Sequence, residues 1–427
     1  MLSTRGIVAT LGLASLAAAQ LPAAGEAGGV GLAIRARKLL TCAVDGPQAI
    51  DDGVVWIEGG KIVGVGRADE LEVPAHCVVL DVGERWLCPG FIDLHCHVAG
   101  RDFFSGNDLN DVIYVTQPEQ RASAGVIPAN PALQLGLAGG VTTVLFIPGS
   151  GSNCGGQGIL LKTGLEHFEA ARVRDPGSLK VAQWGNPENW GVGVGKTFEN
   201  WHLRQMFRQG AGYARAWREF AEGRGPRPET NIRFEVFREL AEKRTQVSVH
   251  TQVYQVVLMT ITMIRVEFGL DVFIDHGEWK GFLTAPLAQA LGVQAIIGPR
   301  EIDTPSRSWM DTDGQILGIA SEYQRRGHTM IGFNTDSPIV PEEQLFLQAS
   351  IASRFGFDTS EGQALRGLTI VPATTAGIAE RVGSLEVGKD ADILVASGDP
   401  IDPRTSIERV FIEGRQVYDA ERDGRRW

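Results

Sequence analysis

Hydrophobic and polar positions alternate in two different styles along the chain. Short alternating strands with turn residues between them occupy about residues 31–88, where Gly59-Gly60 lies between two Val/Ile runs and predicts a hairpin. The same style returns at 391–399 and 407–419. Between these ends, short apolar strands alternate with longer helical patterns, which is typical of βα units in a parallel sheet.

Eight central segments are predicted to be strands: 91–97, 141–147, about 159–162, 180–184, 246–250, 271–276, 293–297 and 329–335. Helical patterns occur at 230–243, 253–268, 284–291, 314–326 and 342–355. We therefore expect an α/β fold, with a (β/α)8 TIM-type barrel over 91–380. The two chain ends, 30–90 and 381–420, are expected to form one small β-sandwich. A doubly wound sheet is the structural alternative.

Composition changes this picture little, but it excludes several classes of protein. A chain of 427 residues that is 43% hydrophobic and 21% charged is neither disordered nor a disulfide-stapled miniprotein. Its 53 glycines follow no G-X-Y period, so they indicate tight turns rather than a fibre. The net charge of −11 argues against nucleic acid as a partner. Five cysteines without a CxxC pair indicate neither a disulfide framework nor a cysteine-based zinc site.

The first twenty residues have the order of a secretory signal. Arg5 precedes an uncharged run from Gly6 to Ala19, and three alanines stand directly before Gln20. This pattern predicts a signal peptide at 1–19 and a periplasmic or secreted protein. A disordered N-terminus or a retained anchor is the alternative. The run is shorter than the ~20 residues that span a bilayer, so no membrane span is expected.

Four of the eight histidines fall at the C-terminal ends of predicted strands, where catalytic groups of barrel enzymes lie. His95 and His97 are two residues apart on one strand, so their side chains point to the same side and can hold one ion. His250 and His276 close two further strands, and Asp336 closes the last. An isolated histidine in an apolar strand is usually a core residue, but four with an acid predict a metal site. The remaining histidines have no such placement.

Three motifs resemble those of the amidohydrolase superfamily. PGFIDLHCHV (89–98) is similar to the barrel-entry motif, and GGVTTVLFIPG (139–149) is similar to the second strand. GSLEVGKDADILVASGDP (383–400), followed by IERVFIEGRQVY (407–418), resembles the C-terminal return into the sandwich. Within the superfamily, LKVAQWGNPENW, HTQVYQ and GPREIDTP most resemble the imidazolonepropionase-related group, which includes prolidase-like dipeptidases.

The resemblance implies roles for the ligands. His95, His97 and Asp336 would bind one divalent metal, whereas His250 and His276 would bind a second metal or line the site. Imidazole and carboxylate ligands suit zinc, with manganese, nickel or iron as alternatives. The ion would activate water and polarise the carbonyl under attack. Asp336 would act as general base and then general acid; a turn or N-cap aspartate is the alternative interpretation.

Binuclear members of the superfamily often use a carboxylated lysine to bridge the two metals. Lys180, on the predicted fourth strand, is the expected bridging ligand. Lys162, on the third strand, competes with it. Either lysine could instead be a solvated strand end.

Three further features have both a functional and a structural interpretation. GSGSNCGGQG (149–158) could hold an anion through backbone N–H groups or be a flexible connector. Arg300 could bind a substrate carboxylate or be a surface arginine. A Trp- and Arg-rich segment after the fourth strand could be a lid or a helix pair packed on the barrel; it contains Trp184, Trp190, Trp201 and Trp217 with Arg204, Arg208, Arg215 and Arg218. GVGVGKT (191–197) lacks the first glycine of a P-loop.

Together these features predict an exported metal-dependent hydrolase that cleaves a C–N bond of an amide, a cyclic amide or a dipeptide. The expected cofactor is one or two divalent ions, zinc by the ligand types, and the expected partner is a small-molecule substrate. Deaminase or esterase chemistry at the same ligands is one alternative. A non-catalytic binding protein on the same fold is another, although such a protein is expected to lose ligands. The sequence leaves homo-oligomerisation open.

Overall fold

The computed structural model describes residues 31–100, 113–183, 195–304 and 315–427. The predicted signal peptide, the P-loop-like segment up to residue 194, Trp184 and Trp190 lie outside these residues. Export of the chain and a lid role for the Trp-rich segment therefore stay predictions.

Strands account for both halves of the predicted architecture. The N-terminal strands are β1 (Leu32–Leu40), β2 (Ala49–Glu58), β3 (Lys61–Arg67), β4 (Val78–Asp81) and β5 (Trp86–Pro89). The central strands are β6 (Phe91–Cys96), β7 (Val141–Phe146), β8 (Cys154–Lys162), β9 (Arg172–Ala182), β10 (Val247–Thr251), β11 (Val272–His276), β12 (Ala295–Ile297), β13 (Ile302–Asp303), β14 (Leu317–Gly318) and β15 (Ile331–Phe333). The C-terminal strands are β16 (Ile393–Ala396), β17 (Ile407–Ile412) and β18 (Arg415–Asp419).

A nearly closed barrel forms the centre of the molecule. Its eight strands follow the order β15-β12-β11-β10-β9-β8-β7-β6, and each overlaps one of the eight predicted segments. A bridge between Cys96 and Ser337 joins the two ends of this order. The barrel strands β6, β7, β10, β11, β12 and β15 are buried at every position, as expected for strands covered on both faces.

One barrel strand departs from the predicted βα alternation. β8 pairs antiparallel with both β7 and β9, so no helix crosses over between β7 and β8. The glycines of this segment allow the chains to approach closely, because a Cβ at Gly158 would lie 2.8 Å from the carbonyl oxygen of Phe146. The whole stretch 149–158 is buried. The interpretation of this stretch as a flexible connector is therefore wrong, whereas anion binding by it stays a prediction.

Helices cover the barrel. They are α1 (Pro131–Ala138), α2 (Phe168–Ala171), α3 (Lys196–Ala221), α4 (Val236–Ala241), α5 (Tyr254–Thr260, continued as a π-helix over Ile261–Glu267), α6 (Ala285–Ala290), α7 (Ile319–Arg325), α8 (Leu345–Arg354), α9 (Gln363–Leu368) and α10 (Ile370–Thr375). Five of them, α4 to α8, overlap the five predicted helical patterns. α3 carries Trp201 and Trp217 and buries Leu203 and Phe207 in the main core. Its Arg204 pairs with Glu267 of the π-helix. The described part of the Trp-rich segment is thus a helix packed on the barrel.

Both chain ends join one second sheet. Its order is β18-β17-β16-β5-β1-β2-β3, with β4 paired to β1. The C-terminal β16 pairs antiparallel with the N-terminal β5, so the ends are connected directly. This sheet has a hydrophobic cluster of its own around Ile34, Val55 and Ile393. Closure of the sheet into a sandwich, and the domain limits at 90 and 381, stay predictions.

Two further properties concern cysteines and membranes. All five cysteines lie within the described residues and are free. Among the helices of the described ranges, none combines the length and the apolar character that a membrane span requires.

Candidate functional site

The predicted ligands converge at one end of the barrel. His95 is the second-last residue of β6, and His250 and His276 lie at the C-terminal ends of β10 and β11. Because these strands are parallel, their C-terminal ends meet at one edge of the sheet. His276 and Asp336 have φ angles of 76° and 49°, in the left-handed region that non-glycine residues rarely occupy. Such strain is common at functional sites and costs about 1–3 kcal/mol per residue.

Three ligand atoms form a compact triangle. Nε2 of His95 lies 3.0 Å from Nε2 of His97, and Oδ1 of Asp336 lies 3.1 Å and 3.3 Å from these two nitrogens. Ligands at ~2.0–2.1 Å from one tetrahedral zinc are roughly 3.3 Å apart. The triangle therefore has the size that a single ion requires. His95 is fully buried, whereas the side chain of Asp336 keeps 15% of its surface exposed.

A second group of ligand atoms adjoins this triangle. Nε2 of His276 lies 2.8 Å from Nδ1 of His250, and the His276 ring lies 4.6 Å from the His95 ring. Lys180 is fully buried on β9, with Nζ 3.3 Å from Nε2 of His95. The structure thus places all six predicted ligands in one cluster. Within it, Lys180 lies beside His95, the residue that adjoins both groups.

Hydrogen bonds from behind orient the imidazoles. Nδ1 of His97 lies 2.9 Å from the carbonyl oxygen of Ile147, and Nδ1 of His276 lies 2.6 Å from that of Gly298. A ring that donates its Nδ1–H to a carbonyl keeps Nε2 free as a ligand. These two Nε2 atoms are the ones that face the cluster. The arrangement of donors thus fits a metal ion.

Two aspartates that sequence reasoning missed complete the support of His95. Oδ2 of Asp275 lies 2.7 Å from Nδ1 of His95, so this ring also directs Nε2 towards the cluster. Asp93 accepts the backbone N–H of His95 at 2.8 Å and the hydroxyl of Thr335 at 2.6 Å. Asp93 therefore connects the first strand of the barrel to the residue that precedes Asp336.

The pKa shifts of the candidate ligands determine which of them are ready to bind a cation. Burial lowers the pKa of His276 to about 4 and holds that of His250 well below its usual range, so both rings are neutral. Burial opposes ionisation of Asp336, but His95 and His97 outweigh it and hold its pKa well below its usual range. Burial also lowers the pKa of His95, yet Asp275 and Asp336 raise it to about 9. An incoming ion would have to displace this proton, so metal binding should weaken as the pH falls.

Arg300 lies beside the cluster and already has an internal partner. Its Nη1 lies 3.0 Å from Oε2 of Glu278, and its guanidinium lies 4.4 Å from the centre of the Trp279 ring. Burial raises the pKa of Glu278 to about 8 despite this contact. Arg300 keeps 46% of its side chain exposed, so its predicted role as a substrate clamp stays a prediction.

Lys162 lies far from the ligands. β8 runs antiparallel to its neighbours, so its C-terminal residue reaches the end of the barrel opposite to the ligand cluster. There Nζ contacts Asp390 at 2.7 Å, Asp392 at 3.1 Å and Glu413 at 3.0 Å. The alternative assignment of Lys162 as a bridging ligand is therefore wrong.

Barrel and ligand cluster together define a class of protein: an α/β barrel with a buried histidine–aspartate centre of metal-binding geometry at the C-terminal ends of its strands. A model of the amidohydrolase family matches residues 309–417. A crystal structure of an amidohydrolase from Thermotoga maritima, 27% identical, superimposes with a TM-score of 0.79 and covers 91% of this chain and 100% of that one. These similarities support the assignment of the chain to the amidohydrolase superfamily.

Two relatives and one further solved structure show the breadth of this likeness. The amidohydrolase tasK of Hapsidospora irregularis is 25% identical over 86% of this chain, which spans only 40% of that protein's length. An imidazolonepropionase of Sphingopyxis alaskensis is 25% identical over 85% of this chain and 91% of its own. A prolidase complexed with N-methylphosphonate-L-proline has the same fold, with a TM-score of 0.56 at 17% identity.

Proposed function

We propose that this protein is a metal-dependent hydrolase that cleaves a C–N bond in an amide, a cyclic amide or a dipeptide. The triangle of His95, His97 and Asp336, with ligand atoms 3.0–3.3 Å apart, is the observation that carries the proposal. The relatives support the bond type, since they include enzymes named imidazolonepropionase and prolidase.

The histidines of the cluster would bind metal, and Asp336 would both bind metal and transfer a proton. His95, His97 and Asp336 would hold one divalent ion, zinc by the ligand types, and His250 with His276 would hold a second. Such an ion lowers the pKa of water and polarises a carbonyl group. Asp336, ionised and partly exposed, would accept a proton from the attacking water and donate it to the leaving nitrogen. Arg300 would orient a carboxylate of the substrate.

Lys180 is proposed to bridge the two ions as a carboxylated lysine. It is buried and reaches both His95 at 3.3 Å and Asp275 at 3.7 Å. We expect Lys180→Ala to lower the bound metal from two ions to one per chain, measured by elemental analysis of the purified protein. Arg172→Ala, at the exposed start of the same strand, is the matched control and should keep the metal content of the wild type. A variant K180A with an unchanged metal count would contradict the bridging role.

The catalytic proposal is tested on the purified protein with its metal measured. Hydantoins, dihydroorotate, imidazolone propionate, and X-Pro and acylated dipeptides form the substrate panel, with an aminopurine nucleoside and an aryl ester to detect deaminase or esterase chemistry. We expect turnover of at least one C–N substrate, lost on chelation and restored by zinc or manganese. Less than one bound ion per chain together with inactivity on added metal would overturn the proposal.

Export is part of the same proposal and rests on the sequence of residues 1–19 alone. Translocation directed by this segment, which is then cleaved off, would place the enzyme in the periplasm or outside the cell.

A further inference from the structure

A cavity of about 280 Å³ opens at the end of the barrel opposite to the ligand cluster. It lies where β10, β11 and β12 begin, beside the first half of β9 and the C-terminal end of α10. The charged and polar side chains that matter here are Arg174, Lys243, Thr245, Gln246, Arg265 and Asp271. The proposed reaction uses none of them.

Hydrogen-bond donors in this cavity lack acceptors. Thr245 and Gln246 are 4% and 7% exposed, yet Oγ1 of Thr245 and Nε2 of Gln246 have no hydrogen-bond partner among the described residues. Within the same described ranges, Nε of Arg174 is also buried without a partner. Because a buried donor without an acceptor costs about 1–3 kcal/mol, such groups in a native protein indicate a missing acceptor.

Positive charge is in excess around these donors. Asp271 is the one acid among the lining residues, and it is shared by Arg265 at 2.7 Å and Lys243 at 3.6 Å. In the described part of the chain, Arg174 has no carboxylate within ion-pair distance, and burial lowers its pKa. Three cations against one anion leave a surplus of two positive charges. The carbonyl end of α10 offsets only about half a charge.

We propose that this cavity binds a tetrahedral oxyanion of the phosphate or sulfate class. The anion would accept hydrogen bonds from Arg174, Thr245 and Gln246 and neutralise the surplus charge. Its location on the N-terminal face of the barrel separates it from the chemistry and favours a stabilising role. The backbone supports this role, since the carbonyl of Gln246 accepts the N–H of Leu179 and so joins the cavity to the strand of Lys180.

The test is thermal unfolding of the full chain, freed of metal with a chelator so that the ligand cluster cannot bind the anion through an ion. Inorganic phosphate or sulfate is compared with chloride at equal ionic strength. We expect phosphate at about ten times its Kd to raise Tm by about 2 °C, and calorimetric titration to give one site per chain.

Arg174→Met should weaken phosphate binding at least tenfold. Arg172→Met, two residues earlier on the same strand and exposed in a contact with Glu169, should leave it unchanged. Gln246→Leu is the second variant in case Arg174→Met does not fold, and it should also weaken binding. Equal shifts with chloride, or phosphate binding that survives in R174M or in Q246L, would overturn the site. Turnover in the substrate panel does not enter this test, so the two proposals fail independently.

Discussion

Asp336→Asn should lower kcat/KM by about 10²–10⁴-fold on any substrate that the protein hydrolyses, because general acid–base catalysis contributes that much. The amide of asparagine has the shape of the carboxylate but cannot accept a proton from water. The neighbouring imidazoles that keep Asp336 ionised against the effect of burial therefore no longer serve catalysis in the variant. The measurement is steady-state turnover together with the metal content of the same preparation.

The variant should fold normally, for a reason in the backbone. Asp336 has a φ of 49°, and asparagine tolerates the left-handed region better than most residues. The segment is also held from both sides, since Thr335 donates to Asp93 and the N–H of Ser337 donates to Thr335. Most of the metal should remain, because both histidines of the triangle are intact.

Asp358→Asn is the matched control, since it makes the same chemical change at an exposed turn. It should retain the turnover of the wild type. If D336N kept turnover within threefold of the wild type, Asp336 would not be the proton-transfer residue. Loss of the metal along with turnover would show instead that Asp336 acts mainly as a ligand.

The positions of the candidate ligands could be predicted because local patterns determine them. Apolar strands are recognisable by composition, and a histidine or aspartate at the end of such a strand reaches one edge of a parallel sheet. The direction of β8 could not be predicted, because an apolar run has the same pattern in both directions. Because β8 runs antiparallel to its neighbours, Lys162 lies at the opposite end of the barrel. Lys180, on β9, lies in the cluster.

Asp93 and Asp275 left a signal in the sequence that periodicity does not use. Each follows Phe-Ile within an apolar strand, in FIDLH and FIDH. A carboxylate in such a strand is buried and needs a partner, and His95 is the residue that both aspartates support. The partner could not be identified in advance, because Asp275 and His95 are 180 positions apart in the chain.

Lys162→Met should destabilise the protein by about 3–5 kcal/mol, the cost of breaking a buried ion pair from one side. The lysine is 1% exposed and contacts Asp390 and Asp392, whose side chains are 2% and 3% exposed. Without the ammonium group, both carboxylates stay buried beside each other. The measurement is the free energy of unfolding from urea titration at neutral pH, with bound metal as a second readout that should not change.

The pH dependence of this loss has a definite sign. Burial acts to raise the pKa of Asp390, but Lys162 and its neighbours outweigh it and lower the pKa to about 2. A group whose pKa is depressed on folding contributes stability above its ordinary value, ~3.9, and that contribution is lost as the pH falls towards 2. The difference between the wild type and K162M should therefore be largest above pH 4 and shrink below it.

Lys61→Met provides a control on the same carboxylate. Nζ of Lys61 also contacts Asp390, but its side chain is 47% exposed, so solvent screens the pair and its removal should cost less than about 1 kcal/mol. The contrast between K162M and K61M then compares a buried lysine that contacts three carboxylates with a half-exposed lysine that contacts one of them. Equal losses in the two variants would mean that burial does not set the strength of this network. A drop in bound metal in K162M alone would return Lys162 to the ligand set, against its position at the opposite end of the barrel.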